Sequence, residues 1–212
     1  MVASTTAPRR LPRAEREAQI LAVAHAQFAE HGFGAVTMDG IAAEVGVTKP
    51  LLYAYWGNKE RLYLACLERE AERLRETVGA AVGASATPAD ALESGLRAFF
   101  AFVDADRGSF RVLFDETLPA GGEIARCVAG YRQDLVELVS SSLLAQIPSA
   151  RRAKARLEVE ALSHALLGAA EALCRWWLRT GELRAADAAD LLIATTAPGL
   201  RARSARSRGG SR

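Results

Sequence analysis

Between Ile41 and Leu52 the chain places an alanine, a glycine and four apolar side chains at positions that admit few folds. Ala42 keeps a helix crossing thin, and Gly46, four residues on, supplies the positive φ of a tight turn. Ile41, Val45, Val47 and Leu52 fill a small core, which is the packing pattern of a helix-turn-helix. An ordinary helical hairpin shares that spacing, so the next helix decides between them. In "TKPLLYAYWGNKE", Thr48 to Glu60, a wheel at about 100° per residue turns Leu52 and Trp56 inward. Pro50, Leu51 and Ala54 fall on the outward side, with Lys49 and Tyr53 on one flank and Tyr55 on the other. Exposed apolar groups between polar flanks need a partner. A major groove supplies one, with thymine methyls for the apolar groups and phosphates for lysine, threonine and tyrosine. Thr48 at the helix start and Lys59 at the next helix extend this phosphate clamp.

Helical periodicity runs through the remainder and alternating strand patterns are absent. A first helix spans about 13–31, with Gly32 placed to end it in a left-handed conformation. Thr37 caps a second helix to Val45, Thr48 a third, and Asn58 a fourth to about Val78. Gly79 to Ala91 is small and flexible until Thr87, Pro88 and Asp90 restart a helix. Helices follow at 88–105, 107–117, 122–146, 150–180 and 187–197, and the arginine-rich end reads as disordered.

Net charge of +2 conceals an asymmetry. Without residues 201–212 the chain has 22 basic and 25 acidic side chains, a net of −3, so nucleic-acid binding must rest on a local site rather than on bulk charge. Cys66, Cys127 and Cys174 lie far apart without CxxC spacing, which argues for a reducing compartment and against disulfides or a zinc site. The start of the chain has no signal-peptide core and no later run reaches the length of a membrane span, so the protein is expected in the cytoplasm without a membrane partner.

The stretch from Ile20 to Leu67 resembles the N-terminal domain of the TetR family of bacterial transcriptional regulators. It carries the GF after the first helix, the Thr before the second, IA..VGV, LY.Y followed by an aromatic, and NKE.L. The resemblance implies an all-α homodimer: an N-terminal three-helix helix-turn-helix domain binds double-stranded operator DNA, and a C-terminal helical domain binds a small-molecule effector and dimerises. Domain limits follow as 1–58 for DNA binding with an N-terminal arm, 59–200 for ligand binding and dimerisation, and 201–212 for a basic tail. Carried onto matching positions, the resemblance implies DNA contacts from Thr37, Thr48, Lys49, Pro50, Leu51, Tyr53, Tyr55 and Lys59. Asp39-Gly40 stands where many members carry Arg-Asp, which removes one basic contact. Base reading then falls to Lys49, Thr48 and the arm of Arg9, Arg10 and Arg13.

Aromatic side chains crowd the helices around residue 100, and the family analogy turns them into a cavity for a hydrophobic or aromatic effector. Its expected lining is Phe99, Phe102, Val103, Phe110, Phe114, Tyr131 and Cys174. Leu162, Leu166, Ala169, Leu173 and Trp176 form an apolar stripe, joined by Leu191, Leu192 and Thr195, as a four-helix dimer seam. The rival classes are a small helical enzyme, a metal-binding bundle, an architectural module and a DNA-binding dimer that responds to no ligand. Glu160, His164 and Glu171 offer only a loose ligand pattern, and no GxSxG, P-loop or dinucleotide fingerprint occurs, so no catalytic residue, metal or cofactor is expected. An architectural module would leave the phosphate clamp idle.

Overall fold

The computed structural model describes residues 12–145 and 147–209. Among the described residues the chain forms α1 (Arg13–Ala35), α2 (Met38–Val45), α3 (Lys49–Trp56), α4 (Lys59–Gly83), α5 (Pro88–Ala105), α6 (Arg107–Leu113), α7 (Gly122–Ala145), α8 (Ser149–Thr180) and α9 (Ala185–Gly209), with no strand. Arg9 and Arg10 of the expected arm lie outside the described residues, as do the arginine side chains of the tail.

The N-terminal helices close on the core expected of them. Ile20, Ala24 and Phe28 from α1 meet Ile41, Ala42 and Val45 from α2 and Leu52 from α3, all buried. Thr37 Oγ1 accepts from Gly40 N at 3.1 Å and starts α2. Gly46, at φ 75° and ψ 36°, ends it in the left-handed region. Trp56, expected inside, is only half-buried; its Nε1 is sealed from solvent without a hydrogen-bond partner. Core packing passes unbroken into α4, where Tyr63 meets Phe28 and Phe33 edge-on at 5.0 and 5.1 Å between ring centres. Tyr63 Oη donates to Val112 O at 2.6 Å, bolting this core to α6.

Tertiary contact moves several helix ends. α4 continues to Gly83, past the expected end at Val78, because Val78 and Val82 are buried against α5. That burial outweighs the poor helix propensity of Gly79 and Gly83. α6 stops at Leu113 instead of 117, since Phe114 leaves helical geometry at φ −128° and ψ 33°. Gly32 does not take the left-handed helical conformation: at φ 75° and ψ 161° it kinks the chain, and a short turn continues to Ala35. α9 passes through Pro198 and runs to Gly209, beyond the expected 197. In the C-terminal half, Phe100 packs 6.0 Å from Trp177 between ring centres, and the Trp177 indole donates to Leu183 O at 2.6 Å.

Candidate DNA-binding surface and effector cavity

The outward side of α3 is built as a contact surface. Leu52 is fully buried, while its neighbours Leu51 and Tyr53 remain 38% and 40% exposed, and Pro50 and Ala54 are exposed beside them. Pro50 stands in the first turn, where its missing N–H removes no helical bond. Thr48 precedes the helix without capping it, so its exposed hydroxyl is not spent on the backbone. Thr37 is exposed too, with its hydroxyl engaged in the α2 cap.

The cations have specific places. Lys49 Nζ lies 2.9 Å from Asp39 Oδ1, both groups exposed, and 6.0 Å from the Tyr53 ring centre. An exposed pair of this kind is held weakly, so it leaves Lys49 free to turn to a phosphate. Tyr55 is half-buried under the Arg13 guanidinium, 5.5 Å from its ring centre. Lys59 departs most from expectation as a phosphate clamp. Its ammonium donates to Phe33 O at 2.9 Å and Val36 O at 3.0 Å and sits 4.3 Å from the Phe33 ring centre. Two of its three protons are thus spent stapling the turn between α1 and α2. We expect Lys59→Ala to lower unfolding free energy by about 1–3 kcal/mol, because two part-buried carbonyls lose their donor; urea denaturation checks this.

A cavity of about 220 Å³ opens between α4, α6 and α7. Leu67, Ala71 and Leu74 line it from α4, Leu113 and Phe114 from the α6 end, and Val128, Tyr131 and Leu135 from α7, with charged groups including Glu68, Arg75, Arg132 and Asp134. Phe114 and Tyr131 were expected here. A smaller space of about 70 Å³ lies between α4, α5, α7 and α8, lined almost wholly by apolar groups including Phe99, and Leu135 borders both. Phe102, Val103, Phe110 and Cys174 line neither of these two spaces. They are buried in close packing: Phe110 packs against Phe114 with the rings tilted and 4.6 Å between centres, Arg73 covers Phe102 at 5.5 Å, and burial pushes the Cys174 thiol up to about 12. Sequence reading missed the α4 wall, although Leu67, Ala71 and Leu74 follow helical spacing.

The residues expected to form a dimer seam divide between the interior and the surface of the chain. Leu166 and Leu192 are buried within the protomer and Leu162, Ala169 and Leu173 are half-buried. Leu166, Ala170, Cys174 and Trp177 occupy the inward side of α8, leaving Ala161, Ala165, Gly168, Ala172 and Trp176 exposed. Trp176 and Leu191, at 40% and 54% exposure, and Thr195 keep their expected outward position.

One polar junction escaped the sequence reading, because its members are far apart in the chain. His25 of α1, Glu70 of α4 and Asp106 before α6 bring ligand-type atoms within 4.8 Å of one another. Ser109 Oγ bonds Glu70 Oε2 at 2.7 Å and Asp106 Oδ2 at 2.9 Å, Arg73 holds Glu70, and Asp106 caps α6. Burial opposes ionisation of Asp106, but Ser109, His25 and the α6 amides outweigh it and hold the carboxyl below its ordinary value. The carboxylates are already partnered, so the cluster reads as a junction between helices. Glu171, a loose candidate ligand by sequence, is buried and paired with Arg132.

A short helix with an exposed outer side following a Gly46 turn, carried on a helical body with an open cavity, is the arrangement of a helix-turn-helix DNA-binding regulator. Residues 20–66 match the family model "Bacterial regulatory proteins, tetR family", and residues 88–198 match "Tetracyclin repressor-like, C-terminal domain". The chain belongs to the tetR family. A TetR-like transcriptional regulator from Rhodococcus sp. RHA1 is 34% identical, with a TM-score of 0.72, over 91% of this chain and 99% of that one. The activator FasR of Mycolicibacterium smegmatis is 35% identical over 55% of this chain, and the repressor SCO4008 of Streptomyces coelicolor 44% identical over 26%. The chain spans 53% and 28% of those two curated relatives' own length. The same fold occurs in AibR, solved with isovaleryl coenzyme A and operator DNA, at a TM-score of 0.69 and 21% identity over 86% of this chain and 98% of that one. Among the described residues, no helix is long and apolar enough to cross a membrane.

Proposed function

We propose that the chain is a cytoplasmic, non-enzymatic repressor that binds double-stranded operator DNA as a homodimer and leaves it when a hydrophobic or aromatic effector enters the α4–α6–α7 cavity. The observation that carries the DNA-binding assignment is the outward side of α3, where Leu51 and Tyr53 stand exposed beside the uncommitted Thr48 hydroxyl. In this reading Pro50, Leu51 and Ala54 meet thymine methyls, Thr48 and Lys49 reach base edges and phosphates, and Thr37, Tyr53 and Tyr55 hold phosphates; Lys59 supports them by fixing the turn. Residues 1–58 act on DNA, and 59–200 bind effector and partner. Two copies present two α3 helices, which reach successive major grooves when spaced by whole turns of the duplex, about 34 Å each.

The effector shifts a population. It binds better to the conformer whose two α3 helices are wrongly spaced, and a few kcal/mol of differential affinity is enough. α4 joins the DNA-side turn, at Lys59, to the cavity wall, at Leu74, and serves as a lever. Repression or activation then follows from where the operator lies relative to a promoter.

Selection from randomised duplexes, followed by footprinting on the DNA flanking its own gene, tests this reading. Enriched paired half-sites support it, and no enrichment defeats it. Thr48→Ala and Tyr53→Phe should each weaken the selected two-half-site duplex roughly thirtyfold, by loss of one hydrogen bond worth about 1 kcal/mol in each half-site. The salt slope stays unchanged, because neither removes a charge. Wild-type affinity in both variants contradicts the docking.

A further inference from the structure

The kink at Gly32 removes the backbone of α1 from its own hydrogen-bond ladder, and one segment of the C-terminal half takes up the freed groups. Arg111 Nη1 donates to Ala29 O at 3.3 Å. Phe33 N donates to Asp115 Oδ2 at 2.7 Å, and Gly34 N to Thr117 Oγ1 at 3.4 Å. Thr117 N donates to the other Asp115 oxygen at 2.7 Å, which fixes the carboxylate, and Glu116 pairs with Arg175 of α8 at 2.9 Å. Between these polar grips, Leu113 and Phe114 line the cavity. Residues 111–117 thus touch the α1–α2 turn and the effector space alternately. Adjacent Cα atoms are held about 3.8 Å apart, so the backbone of Phe114 cannot be displaced far while that of Asp115 stays in place.

We propose that Asp115, supported by Thr117, is the positioning residue through which occupancy of the cavity sets the placement of α2 and α3. This rests on the effector-controlled reading above. With the cavity empty, the carboxylate holds Phe33 N and with it the entry to α2. A group in the cavity moves Phe114, draws Asp115 off that amide and releases the turn. Lys59 holds carbonyls of the same turn and does not contact the 111–117 segment through these bonds.

A double-mutant cycle tests the proposal without a known effector. Val128→Phe fills the cavity from α7, and binding is measured to the duplex selected by the wild-type protein. We expect filling to weaken binding roughly tenfold in the wild-type background and less than about twofold with Asp115→Ala, the difference being the coupling. Asp115→Asn, which keeps an acceptor for Phe33 N, restores part of that difference. A residue of purely structural importance would lower stability yet leave the effect of filling intact, so equal effects in both backgrounds overturn the proposal. Should Val128→Phe fail to fold, Ala71→Met fills the same cavity from α4. In the variant used, hydrogen exchange at the Phe33 and Gly34 amides should rise on filling, and unchanged protection there overturns it. Failure of the wild-type protein to select any duplex defeats the regulatory reading itself. A selected duplex that ignores filling defeats the coupling alone.

Discussion

Gly168→Arg should convert the protein to a monomer in sedimentation and weaken a two-half-site duplex by about 100-fold or more, the effective-concentration advantage that a dimer holds over one module. Gly168 is exposed on α8 in the row containing Ala161, Ala165 and Ala172, and a Cβ built there meets nothing within 4 Å. The protomer therefore accommodates the larger side chain, and the exchange also gains about 1 kcal/mol of helix propensity. In a two-fold seam the same face meets itself. Each new guanidinium would then face its symmetry mate across a surface whose close approach depends on small side chains. Apolar Trp176 and Leu191, exposed on α8 and α9, would lose their cover at the same time. A dimer that survives the substitution, with unchanged operator affinity, places the seam elsewhere.

Gly32→Ala should lower unfolding free energy by about 3 kcal/mol, combining backbone strain with a forced contact. At φ 75° and ψ 161° the position is open to glycine and costly for any residue with a Cβ. An added Cβ also comes within 3.0 Å of Thr117 Oγ1 and 3.5 Å of Asp115 Oδ2, the groups that receive the freed amides. The variant therefore strains the turn and its support together. Guanidinium or urea denaturation should show the midpoint falling at nearly constant m-value. A change below about 1 kcal/mol would mean that the turn relaxes without the kink.

These two glycines separate what is legible from what is not. At Gly32 the sequence announces a helix end, since glycine is the usual residue there. It does not announce that Asp115 and Thr117, more than 80 residues away, receive the freed amides. At Gly168 the sequence announces close helix approach. It does not announce which side of α8 is free, and the leucine row read as a seam includes Leu166, which packs inward instead. The same limit governs the cavity. Phe110 and Phe102 have the composition of a ligand site, yet packing fills the space around them, while Leu67 and Leu74 of α4 line the opening. Lys59 is a related case: a cation at a helix start reads as an anion clamp until the fold brings two carbonyls to it.

The order of residues by itself determined that the chain is helical, where a three-helix DNA-reading unit lies, and which side of α3 faces out. Those properties depend on local spacing: helical period, capping side chains, and one glycine at φ 75° between two short helices. Tertiary structure alone decided how far α4 runs, which α8 side chains remain exposed, where a cavity opens, and how residues 111–117 grip the α1–α2 turn. Burial, cavity shape and the partner of a freed amide depend on segments that meet only after the chain has folded, so no local pattern encodes them.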